Sequence, residues 1–113
     1  MAAEFGTFAQ FWPFYLREHA RPATRTLHFA GTTLVLLLLA GALATGRWWL
    51  LMLVPLAGYG FAWAAHFAVE HNRPATFRHP LWSLAADFRM WWLWLTGRLA
   101  AELAKAGVPD PRA

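Results

Sequence analysis

Two long stretches without a charged residue dominate the pattern of hydrophobic and polar positions along the chain. They run over Phe29–Thr45 and Trp48–Phe67, and only two residues separate them. Each approaches the roughly 20 apolar residues that an α-helix needs to cross a bilayer. Because the connection is so short, the two helices must run antiparallel as a hairpin. The pattern therefore predicts transmembrane helices over residues 27–45 and 48–70.

Aromatic segments flank this hairpin, and neither has the pattern of a simple span. Residues 5–20 are rich in Phe, Trp and Tyr and predict an interfacial helix with its rings at headgroup depth. Residues 80–103 are aromatic too, but Asp87 and Arg89 lie near the middle. A charge at the bilayer centre is costly unless it is paired or hydrated. We therefore expect an interfacial or re-entrant helix there, followed by a tail over residues 104–113.

Composition agrees with a small membrane protein and excludes several other classes. Of the 113 residues, 58% are hydrophobic and 14% charged, and none is cysteine, so disulfides and thiolate ligands are excluded. The net charge of +4 comes from scattered residues rather than a basic run, so we expect no nucleic-acid partner. No strand pattern is present. We predict one all-α membrane domain over residues 1–113, which is a helical hairpin with flanking interfacial helices. Because two spans form only a thin bundle, we expect a homodimer.

The basic residues indicate how the hairpin is oriented. Arg47 alone lies in its loop, whereas other arginines precede the first span or follow the second, among them Arg17, Arg21, Arg25, Arg73, Arg78, Arg89 and Arg98. Basic residues are enriched in cytoplasmic segments next to membrane spans. We therefore expect a multi-pass protein of the inner (cytoplasmic) membrane, in contact with lipid, with both termini in the cytoplasm.

A repeated motif lies at the open end of the hairpin. Glu18–Thr24 and Glu70–Thr76 differ at one position, and all five histidines lie in or near these copies: His19, His28, His66, His71 and His79. In each copy a proline disfavours helix at the preceding arginine and presets the first turn of a new helix. The repeat thus has a structural interpretation, in which each copy turns the chain at the membrane surface. This interpretation does not exclude a functional role for the neighbouring Glu and His.

Four of these polar residues can converge on one metal ion. His66 and Glu70 are four residues apart and share a helix face. His28 begins the first span at nearly the same depth, and His19 lies a few residues before it. Neutral imidazoles with one carboxylate suit iron(II), manganese or zinc. We predict a metal site formed by these four residues.

The remaining polar candidates have weaker arguments. His71 points about 100° away from Glu70 around the helix, and His79 directly precedes a proline, so both are less favoured as ligands. Asp87 could orient a ligand imidazole by accepting its second N–H, or pair with Arg89 or Arg25.

The order of these motifs resembles the short bacterial branch of the MPO-like family of membrane proteins, formerly a family of unknown function. The resemblance spans about residues 11–98 and rests on four motifs: FYLREHxxP, LHFxGT, AHFxxExNRPATF and PLWSLxxDFRM. Fungal relatives are endoplasmic-reticulum iron(II)-dependent dioxygenases that shorten 2-hydroxy fatty acids by one carbon. This chain is shorter than they are, with two spans rather than more.

The resemblance implies a function in fatty-acid alpha-oxidation. According to this resemblance, iron(II) would be held by four catalytic residues, His19, His28, His66 and Glu70. Dioxygen and a fatty-acid-like substrate would be the reactants. An arginine would then bind the substrate carboxylate, since guanidinium groups recognise carboxylates in a bidentate manner. The candidates for that role are Arg21, Arg25 and Arg73.

Two other functions remain open at this point. His28 and His66 could be axial ligands of a haem held between facing helices, although Glu70 would then have no evident task. Alternatively, the protein is a non-enzymatic membrane scaffold or assembly factor, in which aromatic helices bind partners and the histidines bind no metal.

Overall fold

The computed structural model describes residues 5–73 and 78–108, and every regular element within these ranges is helical. The described residues form five helices: α1 Phe8–Arg17, α2 Pro22–Thr45, α3 Trp48–Glu70, α4 Pro80–Leu95 and α5 Leu99–Ala106. The predicted all-α fold class is confirmed. The helices belong to two compact units, with α1, α4 and α5 in one and α2 and α3 in the other.

Helices α2 and α3 form the predicted hairpin. Helix α2 starts at Pro22, five residues before the predicted transmembrane segment, because proline presets the first helical turn. It ends at Thr45, and the next residue, Gly46, has a φ of 69° that lets the chain turn and an N–H that donates to the carbonyl of Ala42. The two helices approach closely at Gly31, where a Cβ atom would lie 3.0 Å from the carbonyl oxygen of Ala57.

Both helices of the hairpin are long and apolar enough to cross a membrane, by length and composition. They also expose large apolar side chains on several sides, including Leu37, Leu43, Met52, Leu56, Tyr59 and Trp63. Water-soluble monomers rarely expose apolar patches of this extent. These features support a membrane protein.

The geometry of α3 changes twice along its length. It begins as a 3₁₀-helix over Trp48–Leu53, continues as an α-helix over Val54–Ala64 and ends as a π-helix over Ala65–Glu70. Pro55 lies in the first turn of the α-helical part, where its missing N–H is tolerated. The π-helical end is the unusual part, since such segments are short, rare and frequent at functional sites.

The other unit packs α1 against α4 and α5. Each helix buries one face, and the buried residues are Phe11, Trp12, Tyr15 and Leu16 from α1, Ser83, Ala86, Met90 and Leu93 from α4, and Leu99, Leu103 and Ala106 from α5. The indole N–H of Trp12 donates to Glu102 at 2.8 Å, which ties α1 to α5. Arg89 lies over the Trp12 ring, with its guanidinium carbon 4.4 Å from the ring centroid.

The C-terminal segment differs from its predicted bounds in two places. Residues 80–103 contain two helices rather than one, because Gly97 adopts a φ of 74° and turns the chain. Helix α5 continues to Ala106 and is followed by Gly107, so the predicted tail begins within the helix. Residues 109–113 of that tail, and the helix start predicted at Pro74, lie outside the described residues.

Candidate metal centre

The unit formed by α2 and α3 brings two histidines into contact. His28 and His66 are 6% and 1% exposed, and their ring centroids lie 5.2 Å apart with the planes nearly perpendicular. Because the helices are antiparallel, the start of α2 meets the π-helical end of α3. One ring nitrogen of each histidine lies within 4.8 Å of the other, so both imidazoles can bind one ion.

The end of α3 is folded back onto His66. His71 adopts the left-handed conformation with a φ of 61°, and its N–H donates to the carbonyl of His66. The N–H of Asn72 donates to the same carbonyl at 2.9 Å. The side-chain oxygen of Asn72 lies 2.6 Å from Nδ1 of the His66 ring. His66 is therefore held at both its backbone and its imidazole.

Glu70 joins the two helices of the hairpin. Its Oε2 atom accepts hydrogen bonds from the Arg21 backbone N–H at 2.6 Å and from the Thr24 hydroxyl at 2.7 Å. A carboxylate in this position caps the first turn of α2 and is favoured by the helix dipole. Among the described residues, the side chains grouped as possible metal ligands are histidines, and Glu70 is not one of them. Its role as a ligand stays a prediction.

The unit formed by α1, α4 and α5 contains a third buried histidine. His19 follows α1 and is 1% exposed. Its ring nitrogen Nδ1 donates to the carbonyl of Tyr15 at 2.7 Å, and its ring stacks on the Tyr15 ring with centroids 4.1 Å apart. The Tyr15 hydroxyl in turn donates to Asp87. Burial and the Asp87 carboxylate raise the pKa of Tyr15 well above its usual value, so the phenol stays protonated.

His28 and His66, both in the unit of α2 and α3, each offer a ring nitrogen to a metal ion. Imidazole nitrogens bind iron, zinc, copper and nickel. The residues present thus fit a divalent metal cofactor.

The other predicted site residues have different surroundings. Asp87 accepts a hydrogen bond from the Tyr15 hydroxyl, and Arg89 lies 3.9 Å from Glu102. His79 is half-buried and stacks on Trp82, with centroids 5.5 Å apart. Of the described residues that group as possible ligands, neither His71 nor His79 is a member.

The three arginines also differ in their exposure. Arg25 is buried at 5% exposure, whereas Arg21 and Arg73 are exposed. Arg25 precedes His28 by three residues on α2, so the two share a helix face. Burial beside a candidate ligand makes Arg25 the strongest of the three for binding an anion.

Sequence reasoning missed the roles of Tyr15 and Thr24. Tyr15 supports His19 with both its ring and its carbonyl, and Thr24 helps to hold Glu70. A signal for Tyr15 was present, since it lies four residues before His19, which is the spacing of neighbours on one face of a helix. No local signal marks the pairing of Thr24 with Glu70, because the partners are 46 residues apart.

Comparison with known proteins gives one match. A family model described as "2-hydroxy-palmitic acid dioxygenase Mpo1-like" matches residues 5–99, which include all five histidines. No curated protein and no solved structure matches the chain.

Proposed function

The chain belongs to the Mpo1-like family, and we propose that it is a membrane-embedded, non-haem iron(II)-dependent dioxygenase that shortens 2-hydroxy fatty acids by one carbon. The observation that carries this proposal is the burial of His19, His28 and His66 in a chain with two candidate membrane spans. Neutral imidazoles are common ligands of iron(II) in proteins.

His28 and His66 are the first two ligands in this proposal, since their rings are already in contact. His19 is the third. Only Ala20 separates it from Arg21, whose backbone N–H is bonded to Glu70. This short tether keeps His19 near the start of α2, where His28 also lies. Glu70 then contributes by holding that helix start against the end of α3.

The reaction balances with dioxygen as the sole co-reactant. One 2-hydroxy acid and one O₂ give the acid one carbon shorter, one CO₂ and one H₂O, with the bond between C1 and C2 broken. When bound, iron(II) would supply the activation of dioxygen and a chelating position for the hydroxyl and carboxylate of the substrate. The protein's own residues orient the substrate and keep bulk water away from the buried rings.

Arg25 is the residue we assign to the substrate carboxylate. It is buried on the same face of α2 as His28, and the negative charge of Glu70 is close enough to interact with it. A guanidinium so placed offers two parallel N–H donors to a carboxylate. The apolar tail of the substrate would follow the exposed apolar surface of α2 and α3.

We place the protein in the inner membrane with both termini in the cytoplasm, as the arginine distribution favours. Helix α4 fits an interfacial position, because its exposed side carries large apolar and aromatic residues together with the charged Arg89. The exposed large residues on α4 are Leu81, Leu84, Trp92, Trp94 and Leu95. Such residues near the headgroup region anchor helices that lie in the membrane plane.

The experiment that tests the proposal combines metal analysis with a product assay on detergent-purified protein. Anaerobically iron-loaded protein should convert 2-hydroxypalmitic acid, with its carboxyl carbon labelled with ¹³C, to the unlabelled 15-carbon acid and labelled CO₂. Palmitic acid and 3-hydroxypalmitic acid should not react. Mass spectrometry of both products and oxygen consumption measure the outcome.

Two ligand variants and one matched control sharpen this experiment. His28→Ala and His66→Ala should lose bound iron and lose more activity than the about 10–100-fold typical of residues that only support a ligand. His79→Phe removes an imidazole outside the buried group and keeps a ring against Trp82, so it should retain iron. Wild-type protein that binds no iron would refute the proposal, and a Soret band would favour the haem alternative.

A further inference from the structure

We propose that Asn72 is a positioning residue that fixes the His66 ring in one tautomer before any metal binds. In this tautomer Nδ1 carries the proton and Nε2 carries the lone pair. The role that we give this tautomer, presenting the Nε2 lone pair to a metal ion, rests on the proposed function. The tautomer itself can be measured without metal or substrate.

The chemistry of the two groups determines the tautomer. An amide oxygen can only accept a hydrogen bond, and Asn72 Oδ1 lies 2.6 Å from His66 Nδ1. Nδ1 must therefore be the donor. A neutral imidazole has one N–H, so the lone pair lies on Nε2. Histidine ligands in metal sites are commonly held in this way, with the other ring nitrogen bonded to a carboxylate or a carbonyl.

The backbone between the two residues is shaped for this contact. His71 is the one described non-glycine residue with a positive φ, at 61°. This conformation is disfavoured for residues with a side chain, and such strained residues cluster at functional sites. It stops the π-helical end of α3 and turns the chain back, so that the N–H groups of His71 and Asn72 both donate to the carbonyl of His66. The same turn brings the Asn72 side chain to the His66 ring.

His19 is held in the same tautomer by a different device. Its Nδ1 lies 2.7 Å from the backbone carbonyl of Tyr15, which can only accept. Its lone pair therefore also lies on Nε2. His19 and His66, two of the predicted ligands, thus carry the lone pair on the same ring nitrogen, Nε2, which is the atom that a metal ion would bind.

Nuclear magnetic resonance of the metal-free protein tests the inference directly. With ¹⁵N-labelled histidine and the rings neutral, the wild type should show a protonated Nδ1 and an unprotonated Nε2 at His66. Asn72→Ala should give a mixture of tautomers, whereas Asn72→Asp, which keeps an acceptor oxygen, should retain the wild-type signal. A wild-type signal with the proton on Nε2, or an unchanged signal in Asn72→Ala, would overturn the inference.

Metal affinity and the turn provide two further measurements. Asn72→Ala should bind cobalt(II) about 10–100-fold more weakly than the wild type, while Asn72→Asp binds it with near wild-type affinity. His71→Gly keeps access to positive φ and should keep the tautomer, whereas His71→Val should lose it. If the wild type holds the tautomer but binds no metal, the tautomer inference stands and the proposed function fails.

Discussion

Glu70 offers the sharpest test of how the site is held, because two substitutions separate its charge from its hydrogen bonds. In Glu70→Gln the side-chain oxygen can still accept from the Arg21 N–H and the Thr24 hydroxyl. Glu70→Ala removes both bonds and leaves the first turn of α2 without this cap. If capping is the main role of Glu70, only the alanine variant should disturb the position of His28.

The expected magnitudes follow from the two contacts. A hydrogen bond to a charged group contributes about 1.5–3 kcal/mol, and two bonds that share one oxygen are not fully additive. We therefore expect Glu70→Ala to lower the free energy of unfolding by about 2–4 kcal/mol. Glu70→Gln loses the interactions of the charge with the helix dipole and with Arg25, and should cost about 0.5–2 kcal/mol.

The assay is denaturant unfolding of metal-free protein in detergent, together with cobalt(II) affinity of each variant. Glu70→Gln should bind cobalt(II) nearly as well as the wild type, and Glu70→Ala clearly less well. Glu18→Gln, at the same position in the first copy of the repeat, is the matched control and should bind as the wild type does. Loss of metal from Glu70→Gln with unchanged stability would refute the capping argument and make Glu70 a ligand, as the sequence predicted.

Two further predictions concern packing and pH. Tyr15→Phe removes the hydroxyl that donates to Asp87 and should lower the free energy of unfolding by about 1–3 kcal/mol. Burial raises the folded-state pKa of Tyr15 above its unfolded value of about 10. The contribution of Tyr15 to the free energy of unfolding is therefore fully present below about pH 10 and is lost as the pH rises through the folded-state pKa. An equally steep loss of stability at alkaline pH in Tyr15→Phe would contradict this. Gly31→Ala places a Cβ atom 3.0 Å from Phe61 and should destabilise the hairpin by about 1–3 kcal/mol, whereas Gly58→Ala meets its nearest neighbour at 3.6 Å and should be tolerated. Thermal unfolding in detergent compares the two, and equal stability would contradict the close helix crossing.

Much of the fold could be predicted from the sequence, because its signals are local. Two uncharged stretches joined by two residues predict a helical hairpin, and Pro22 marks the start of α2. Helix ends set by backbone conformation were harder to predict. The break at Gly97 divides the C-terminal segment, yet glycine occurs within helices as well, so its position alone did not reveal the turn.

The sequence by itself determined which polar groups lie at the open end of the hairpin, since their order along antiparallel helices sets their depth. Only the tertiary structure decided what each group contacts. Glu70 bonds to the N–H of Arg21, 49 residues away, and the Tyr15 hydroxyl meets Asp87, 72 residues away. Hydrogen bonds depend on ångström-scale placement and direction, whereas hydropathy and charge patterns report only the face and depth of a residue. The sequence pattern therefore predicts which end of the hairpin a polar residue lies at, and the tertiary structure is needed to identify its hydrogen-bond partner.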